Sequence, residues 1–402
     1  MKVLFTFGGL PHYLVALLNK INAMPEFEVV VVIPGQSNGT IGKGVKLIDS
    51  GYEFKLIKTS EYKTWYGKPQ LTDLDQIIIT EKPEIVVSLW PYIIGFAFLP
   101  KLRRAIQQVN TKLVIREIPF MVAPKHGAVK YYQEHPIYDE NLHFQPNSGW
   151  RFKLKTHLLT IMRQAYYKQC SATINYTDVA YNVQPSFGIA HEDIHVTLNS
   201  PNTDEIKKAY LTLKADPQNT PKPFRIIHVG RLVKWKKVHH LLQAVDIIRK
   251  QIPEVELVVI GNGPELDNLK TQAAALNLED HVKFLGAVYG YEQLGKEFMQ
   301  AAVFVLAGMG GLAINEGMAF GKPIVCSVGD GTERHLLRHG ENGYFFKEND
   351  INDLAEKITE LLQNPEKVAE FGQKSLDIID HEVNINTVAD RFRTALQKIA
   401  AK

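Results

Sequence analysis

Apolar runs that end in glycine open each half of the chain. In the first half, residues 3–7 run into Gly8-Gly9, apolar residues with helical spacing follow over 13–21, and a valine-rich run covers 28–34. Apolar strand, glycine turn, amphipathic helix and apolar strand form the repeating unit of a parallel sheet covered by helices. The pattern therefore predicts an α/β domain.

The same unit begins again near residue 224. An apolar run over 224–229 leads into Gly230 and a basic loop, a helical pattern covers 238–251, and residues 257–260 end at Gly261. We therefore predict two doubly wound domains, with a turn-rich boundary over residues 199–223. Ligands of such sheets bind at the carboxyl ends of the strands, so a cleft between two sets of strand-end loops is the expected site.

Composition excludes several classes of protein. With 45% hydrophobic and 22% charged residues, the chain is neither disordered nor fibrous. Its two cysteines, Cys170 and Cys326, cannot build a disulfide framework and fit a reducing cytoplasm. The uncharged stretch at residues 85–100 is too short for a transmembrane helix, and Gly8-Gly9 and Pro11 interrupt any signal-peptide core.

Positive charge is concentrated in one part of the first half. The net charge is +3, whereas residues 101–170 hold 12 Lys and Arg against 4 Asp and Glu. Within it, residues 151–168 interleave basic and apolar side chains, which favours a helix packed on the domain core. The alternative is a helix lying on an anionic membrane, which would make the protein peripheral at the inner membrane face and its acceptor lipid-linked. An irregular region over 119–150 is either a functional lid or a flexible excursion.

A glycine-rich loop after residues 304–307 carries the most informative pattern. Gly308, Gly310 and Gly311 precede a helix that begins near Leu312. Free backbone N–H groups at such a helix start can hold a phosphate, and Glu316, about one turn further, can accept hydrogen bonds from a ribose diol. The alternative is that the glycines only allow tight packing of strand and helix.

A second candidate anion site is the basic loop after residues 224–229. Arg231, Lys234, Lys236 and Lys237 could neutralise a diphosphate and stabilise it as a leaving group. The alternative is solvated surface charge. Both loops lie at strand ends of one domain, which favours function.

Weaker candidates follow other strands. In the second half, the backbone at Gly261, Asn262, Gly286 and Ala287 could contact a nucleotide. In the first half, Gly9 would let a ligand approach the backbone closely, and His12 is either a ligand contact or a polar cap of the helix. No His-x-Glu-x-x-His or Cys-x-x-Cys spacing occurs, so we expect no metal site.

Residues 224–363 resemble the donor-binding half of glycosyltransferase family 4, which has the two-domain GT-B fold. The matching segments, in the family's order and spacing, are GRLVKWKK, VVIGNGPELDNL, VKFLGAV, GLAINEGMAFGKPIV and DGTERHLLRHGENGYFF. The Gly8-Gly9 loop and VTLNSPNTDE at 196–205 match more loosely.

The resemblance implies two facing Rossmann-like domains. Residues 1–200 would bind the acceptor, with a C-terminal helix over about 385–402 packed back on them, and residues 201–384 would bind the nucleotide sugar. It also implies a retaining, metal-independent transferase without a cofactor, with a UDP-sugar as the favoured donor and a glycan or lipid-linked acceptor. No nucleic-acid partner is expected.

By the same resemblance, Arg231 and Lys236 match diphosphate-binding residues. Gly310, Gly311 and Leu312 match backbone around the phosphate and donor sugar, Glu316 matches the second glutamate of a Glu-x7-Glu motif, and Glu333 matches a glutamate that either packs or binds.

The sequence departs from the family at four places. Gly308 replaces the first motif glutamate, Lys237 stands where glycine is usual, and histidine-bearing strand ends read Ser88-Leu89-Trp90 and Arg116-Glu117-Ile118. The residues expected to bind the nucleotide are kept, whereas the sequence does not support a catalytic histidine like that of the family.

Arg231 and Lys236 are then the catalytic candidates for leaving-group stabilisation. Glu117 is the third catalytic candidate, as an acceptor contact at a strand end, and the alternative is a salt bridge with Arg116. Arg116 and His126 complete the predicted acceptor side.

Two other functions stay open: a non-catalytic sugar-nucleotide-binding subunit, and a nucleotide-sugar epimerase on the same fold.

Overall fold

A computed structural model describes residues 1–35, 50–118, 122–135, 137–139, 141–308, 310–327 and 331–402. The chain divides into two compact units. Unit 1 comprises Met1–Ile137, Gln145–Leu198 and Asn386–Lys402, and unit 2 comprises Tyr138–Phe144 and Asn199–Ile385.

Unit 1 contains a parallel sheet with the strand order β3-β2-β1-β6-β7-β8-β9, and a separate antiparallel pair, β4-β5. Its strands are β1 (Lys2–Thr6), β2 (Glu28–Pro34), β3 (Lys55–Thr59), β4 (Glu61–Lys63), β5 (Pro69–Leu71), β6 (Ile85–Ser88), β7 (Lys112–Glu117), β8 (Ala172–Asn175) and β9 (Ile194–Val196). The central strands are buried on both faces, as the uninterrupted apolar runs predict.

Helices cover this sheet. They are α1 (His12–Asn22), α2 (Leu74–Glu81), α3 (Ile93–Phe98), α4 (Pro100–Gln108), α5 (Ala128–Glu134), α6 (Gly149–Tyr167) and α7 (Ala180–Val183). The core of unit 1 joins strand residues such as Leu4 and Val86 to helix residues such as Ile78, Phe96 and Tyr167.

Unit 2 contains a second parallel sheet with the order β12-β11-β10-β13-β14-β15. Its strands are β10 (Arg225–Val229), β11 (Glu256–Ile260), β12 (Val282–Gly286), β13 (Val303–Leu306), β14 (Ile324–Cys326) and β15 (Gly343–Phe345). Its helices are α8 (Thr203–Lys214), α9 (Val238–Ile248), α10 (Leu266–Ala275), α11 (Tyr291–Gln300), α12 (Ala313–Ala319), α13 (Ile351–Leu362) and α14 (Pro365–His381). The predicted fold class, α/β with two doubly wound domains, is confirmed.

Helix α8 occupies about half of the predicted turn-rich boundary, residues 199–223, so this part of the boundary is not a turn region. The side chain of Asn202 accepts a hydrogen bond from the backbone N–H of Glu205, which starts the helix. Ile206, Ala209 and Leu213 then bury one face at helical spacing. These few apolar residues among charges and flanking prolines gave too weak a pattern.

The last helix, α15 (Ile385–Ala400), lies almost entirely in the segment that belongs to unit 1. Its residues Val388, Phe392 and Leu396 are buried.

Helix α6 corrects another expectation. Only Thr156, Tyr166 and Tyr167 are buried in it, whereas several of its large apolar side chains are exposed. The helix therefore does not bury its apolar side chains on the core as predicted. Within the described residues, no helix has the length and apolarity needed to cross a membrane.

Candidate functional site

Two strand-end loops of unit 2 are joined through their backbones. Gly230 N–H donates to the carbonyl of Ile260 at 3.0 Å, and Leu232 N–H donates to the carbonyl of Asn262 at 3.0 Å. Gly261 has φ +143°, and a Cβ on it would lie 1.8 Å from the carbonyl oxygen of Gly230. The glycine at 261 is therefore required by the close approach of these loops, whether or not a ligand contacts it.

The third strand end joins the same edge. Gly261 N–H donates to the carbonyl of Gly286 at 2.8 Å, and Gly286 has φ +70°. Ala287 follows as an exposed residue. The ends of β10, β11 and β12 thus form one continuous rim of backbone groups at the carboxyl edge of the sheet.

The basic loop after β10 reaches the glycine-rich loop after β13. Lys234–Lys236 form a short 3-10 turn, and Nζ of Lys236 donates to the carbonyl oxygen of Gly310 at 2.5 Å. Arg231 precedes this turn as a partly exposed residue. The structure therefore brings together the two loops that the sequence marked separately as anion sites.

Gly308 lies directly beneath the basic turn. A Cβ on it would stand 2.1 Å from the carbonyl oxygen of Trp235 and 2.6 Å from the carbonyl carbon of Lys236, and both atoms are backbone. No side chain fits there unless the turn moves. The structure therefore leaves no room at this position for the motif glutamate.

Lys237 is buried and has a role distinct from that of Lys236. Its φ is +52°, the left-handed region that glycine adopts most readily. Its Nζ pairs with Oε1 of Glu348 at 2.5 Å and donates to Oδ1 of Asn349 at 2.8 Å. Lys237 therefore has a left-handed backbone conformation that is unfavourable for lysine, and its charge is paired within the protein with Glu348.

Glu316 lies in α12, which begins at Ala313 after Gly311 and Leu312. Its side chain is partly exposed, and burial of the carboxylate raises the pKa of Glu316 to about 7. The field of this carboxylate contributes to raising the pKa of Tyr291, where burial is the larger cause. A desolvated carboxylate is suited to accept hydrogen bonds from vicinal hydroxyl groups.

Glu333 is fully buried near the same loop. Its carboxylate accepts the backbone N–H of Gly331 at 3.0 Å, and its Oε2 would lie 3.9 Å from a Cβ on Gly310. These contacts fix the loop, so packing is the role of Glu333 that the structure supports.

His228 is a residue that the sequence analysis missed. It is fully buried in β10, and its Nδ1 donates to the carbonyl oxygen of Val305 at 2.9 Å. Its Nε2 is buried with no hydrogen-bond partner among the described groups and lies 3.5 Å from the position of a Cβ on Gly230. Burial lowers the pKa of His228 to about 4, with Lys236 contributing, so the imidazole is neutral. The sequence signal that could have identified His228 is a histidine within an apolar strand, two residues before the glycine turn.

Glu117 ends β7 in unit 1. Its Oε1 accepts hydrogen bonds from the hydroxyl of Tyr167 and from Nε2 of Gln184, the latter at 2.9 Å. Burial raises the pKa of Glu117, whereas Tyr167 and Arg163 act to lower it. These contacts hold the carboxylate in place within unit 1, and its catalytic role remains a prediction.

Arg116 corrects the salt-bridge alternative. Neighbouring strand residues face opposite sides of a sheet, so Arg116 points away from Glu117. Its guanidinium lies 4.6 Å from the ring centroid of Tyr176 and 5.0 Å from that of Phe392, and its three nitrogens have no hydrogen-bond partner in the described part of the chain. Arg116 is only 1% exposed, so its predicted acceptor contact requires access that this conformation does not provide.

The remaining candidates of unit 1 lie in loops and at one helix start. His12 is exposed and is the first residue of α1, whose cap position is Pro11, so His12 is not the predicted polar cap. Gly9 is buried and His126 is exposed. Among the described residues, no group of three or more His, Cys, Asp or Glu side chains is arranged to hold a metal ion.

Most of unit 2 matches a known family. Residues 211–377 match the family model described as "Glycosyl transferases group 1". An uncharacterized glycosyltransferase of Haemophilus influenzae is 29% identical over 177 residues, which cover 42% of this chain and 48% of that protein. The poly(ribitol-phosphate) alpha-N-acetylglucosaminyltransferase of Staphylococcus aureus is 24% identical over 178 residues, covering 43% of this chain and 36% of that protein. The alignments therefore span less than half the length of these relatives.

The fold is similar to that of solved structures. HepE from Anabaena, solved in complex with UDP, has a TM-score of 0.64 with 16% identity, and the alignment covers 99% of this chain and all of that one. At this identity the similarity shows the GT-B fold alone. Together with the family match and the named relatives, it supports a glycosyltransferase.

Proposed function

We propose that the protein transfers a sugar from a nucleotide diphosphate sugar, with a UDP-sugar favoured, to a glycan or lipid-linked acceptor. The observation that carries this proposal is the bond from Nζ of Lys236 to the carbonyl of Gly310. It joins a cationic loop and a glycine-rich loop at the strand ends of unit 2, with Glu316 one helical turn beyond.

The diphosphate is assigned to the basic side of this site. Arg231 and Lys236 would stabilise the negative charge that grows on the diphosphate as it leaves. In this proposal the bond between the anomeric carbon and the diphosphate oxygen breaks, and the acceptor hydroxyl oxygen bonds to that carbon. The hydroxyl proton passes to the departing diphosphate, so the acceptor enters on the face that the diphosphate leaves and the anomeric configuration is retained.

Glu316 is assigned to the ribose. The residue is partly exposed while its carboxylate is desolvated, and two vicinal hydroxyl groups can donate to its two oxygens. The rim formed by Gly230, Gly261 and Gly286 offers backbone groups to the remainder of the nucleotide. UDP is favoured because the similar Anabaena protein was solved with UDP.

The acceptor is the less constrained part of the proposal. The name of the Staphylococcus aureus relative describes transfer of N-acetylglucosamine to a ribitol phosphate polymer. A polymeric or lipid-linked acceptor is consistent with that relative, and Glu117 is the proposed acceptor contact. Both cysteines are free thiols, which fits the proposed cytoplasmic site of action.

Two adjacent lysines provide a matched test. Lys236→Ala removes the cation that bridges the loops, whereas Lys237→Ala removes a cation that is paired with Glu348. We expect Lys236→Ala and Arg231→Ala to lose at least about a hundredfold in turnover of a UDP-sugar, the range found when a group that stabilises transition-state charge is removed. Lys237→Ala should keep turnover within a few-fold while losing stability. Equal turnover losses in both lysine variants would disprove the diphosphate assignment.

The donor assay also separates the other functions. A panel of UDP-, GDP- and ADP-sugars should show slow release of free sugar from one donor, and NMR of a transferred product should show a retained anomer. Activity that persists in excess EDTA is expected if Arg231 and Lys236 supply the positive charge. Binding without turnover would indicate a subunit without catalysis, and interconversion of sugars would indicate an epimerase.

A further inference from the structure

Helix α6 of unit 1 carries an exposed apolar stripe. The stripe consists of Trp150, Leu154, Leu158 and Ile161, whose side chains are 70%, 49%, 56% and 50% exposed. Their spacing of four, four and three residues places them within an arc of about 80° on a helix of 3.6 residues per turn. A continuous row of large apolar side chains on a soluble surface indicates an interaction site.

Basic side chains border this stripe. Lys153 lies along one edge, and Arg151 and Lys155 lie along the other, all three exposed. No acidic residue occurs from Asn141 to Thr177, so nothing along this segment neutralises them. The helix therefore presents an apolar centre between two cationic margins.

The opposite side of α6 is fixed in unit 1. Thr156, Tyr166 and Tyr167 are buried, and Nε2 of Gln164 donates to the carbonyl oxygen of Phe187 at 2.7 Å. The exposed stripe is therefore displayed by an anchored helix and is not the free face of a loose segment.

We infer that α6 docks in the plane of an anionic lipid surface, with the stripe inserted among the acyl chains and the basic margins at the headgroups. An apolar face bordered by Lys and Arg is the pattern of helices that lie in a membrane interface. Cations next to an anionic leaflet add to the attraction. A second copy of this helix would instead bring like charges together, so self-association is disfavoured. The inference does not depend on the proposed sugar transfer.

Vesicle co-sedimentation of the full chain tests this inference. Wild-type protein should sediment with vesicles of phosphatidylglycerol and phosphatidylcholine, bind pure phosphatidylcholine much more weakly, and be released as salt is raised. Leu154→Ser combined with Leu158→Ser should lower the partition coefficient at least about tenfold, a free-energy change of about 1.4 kcal/mol. The matched control is Leu211→Ser, because Leu211 is a single leucine on α8 that is 57% exposed.

The charged margins need their own control. Lys153→Glu combined with Lys155→Glu should abolish the preference for anionic vesicles. The control, Lys208→Glu combined with Lys250→Glu, changes the net charge by the same amount at exposed positions of unit 2. This control should keep the preference for anionic vesicles. Circular dichroism of each variant establishes that the fold is retained.

Three results would overturn the inference. They are absence of binding to anionic vesicles, unchanged binding of the stripe variant, and a dimer in sedimentation velocity that the stripe variant dissociates. The last result would assign the stripe to a second copy of the chain. Donor hydrolysis in the absence of vesicles should be the same in the stripe variant and the wild type, so failure of lipid docking and failure of the proposed transfer are distinguishable.

Discussion

Gly308 provides the sharpest test of how the site is built. Replacing it with alanine adds a single methyl group where the nearest atom, the carbonyl oxygen of Trp235, would be 2.1 Å away. Reaching ordinary van der Waals contact near 3.4 Å requires a backbone movement of about 1.3 Å at residues 235–236. Overpacking of this kind destabilises by about 1–3 kcal/mol.

Urea denaturation measures this loss. We expect the transition of Gly308→Ala to move to lower urea by on the order of 1 M. Calorimetry should show weaker UDP binding as well, because the shifted turn pulls Nζ of Lys236 from the Gly310 carbonyl. Gly308→Glu should lower the turnover of a UDP-sugar even though it supplies the family's usual carboxylate, because its side chain displaces the same turn.

Gly230→Ala is the stability control. A Cβ at Gly230 would meet only Nε2 of His228, at an ordinary distance of 3.5 Å, so the midpoint should change little. If Gly308→Ala unfolds at the same urea concentration as the wild type and binds UDP equally well, the packing of the basic turn on Gly308 is refuted.

Three further predictions concern buried groups. Burial raises the pKa of Glu316 to about 7, so the fraction of the ionised form, which accepts the ribose hydroxyls, increases as pH rises. UDP affinity measured by calorimetry should therefore increase from about pH 6 to about pH 8. Glu316→Gln should bind UDP weakly and without this pH dependence. Burial lowers the pKa of Lys322 from 10.5 to about 7, so between pH 7 and 10.5 the unfolded state binds more protons than the folded state. The free energy of unfolding should therefore rise with pH across that range. Urea denaturation of Lys322→Met should show a weaker rise, and an unchanged pH dependence would contradict the lowered pKa of Lys322. Phe392→Ala should lower the stability of unit 1 in urea by about 3–5 kcal/mol, mainly because it leaves a cavity where a buried ring was packed, and Arg116 also loses one of its two aromatic neighbours. Phe392→Leu should lose less.

The strands and the glycine turns could be predicted from sequence because their patterns are local. The run over 28–34 coincides with β2, Glu28–Pro34, and the predicted start of the helix near Leu312 lies within one residue of α12. Apolar continuity and glycine placement depend on neighbouring residues, which a sequence displays directly.

The roles of individual side chains depended on tertiary contacts. Lys236 and Lys237 are indistinguishable by composition, yet a left-handed backbone at Lys237 sends its amine to Glu348 while Lys236 reaches Gly310. The hydrogen bond of His228 crosses to Val305, 77 residues away. Such partners belong to other elements of the sheet and cannot be identified from local spacing.

One correction could have been made from sequence alone. Arg116 and Glu117 are consecutive in β7, and the two-residue period of a strand already places them on opposite faces. The aromatic neighbours of Arg116, by contrast, are Tyr176, the residue that follows β8, and Phe392 of α15, and only the fold brings them together.

The return of Asn386–Lys402 to unit 1 has a consequence for biosynthesis. A ribosome completes all of unit 2 before it makes Phe392, so throughout that interval the nascent first unit lacks one of the rings that cover Arg116. The first unit to begin synthesis is therefore the last to be finished. A premature stop near codon 385 would release a chain with a complete second unit and an uncovered cation in the first, a natural substrate for chaperones and proteases.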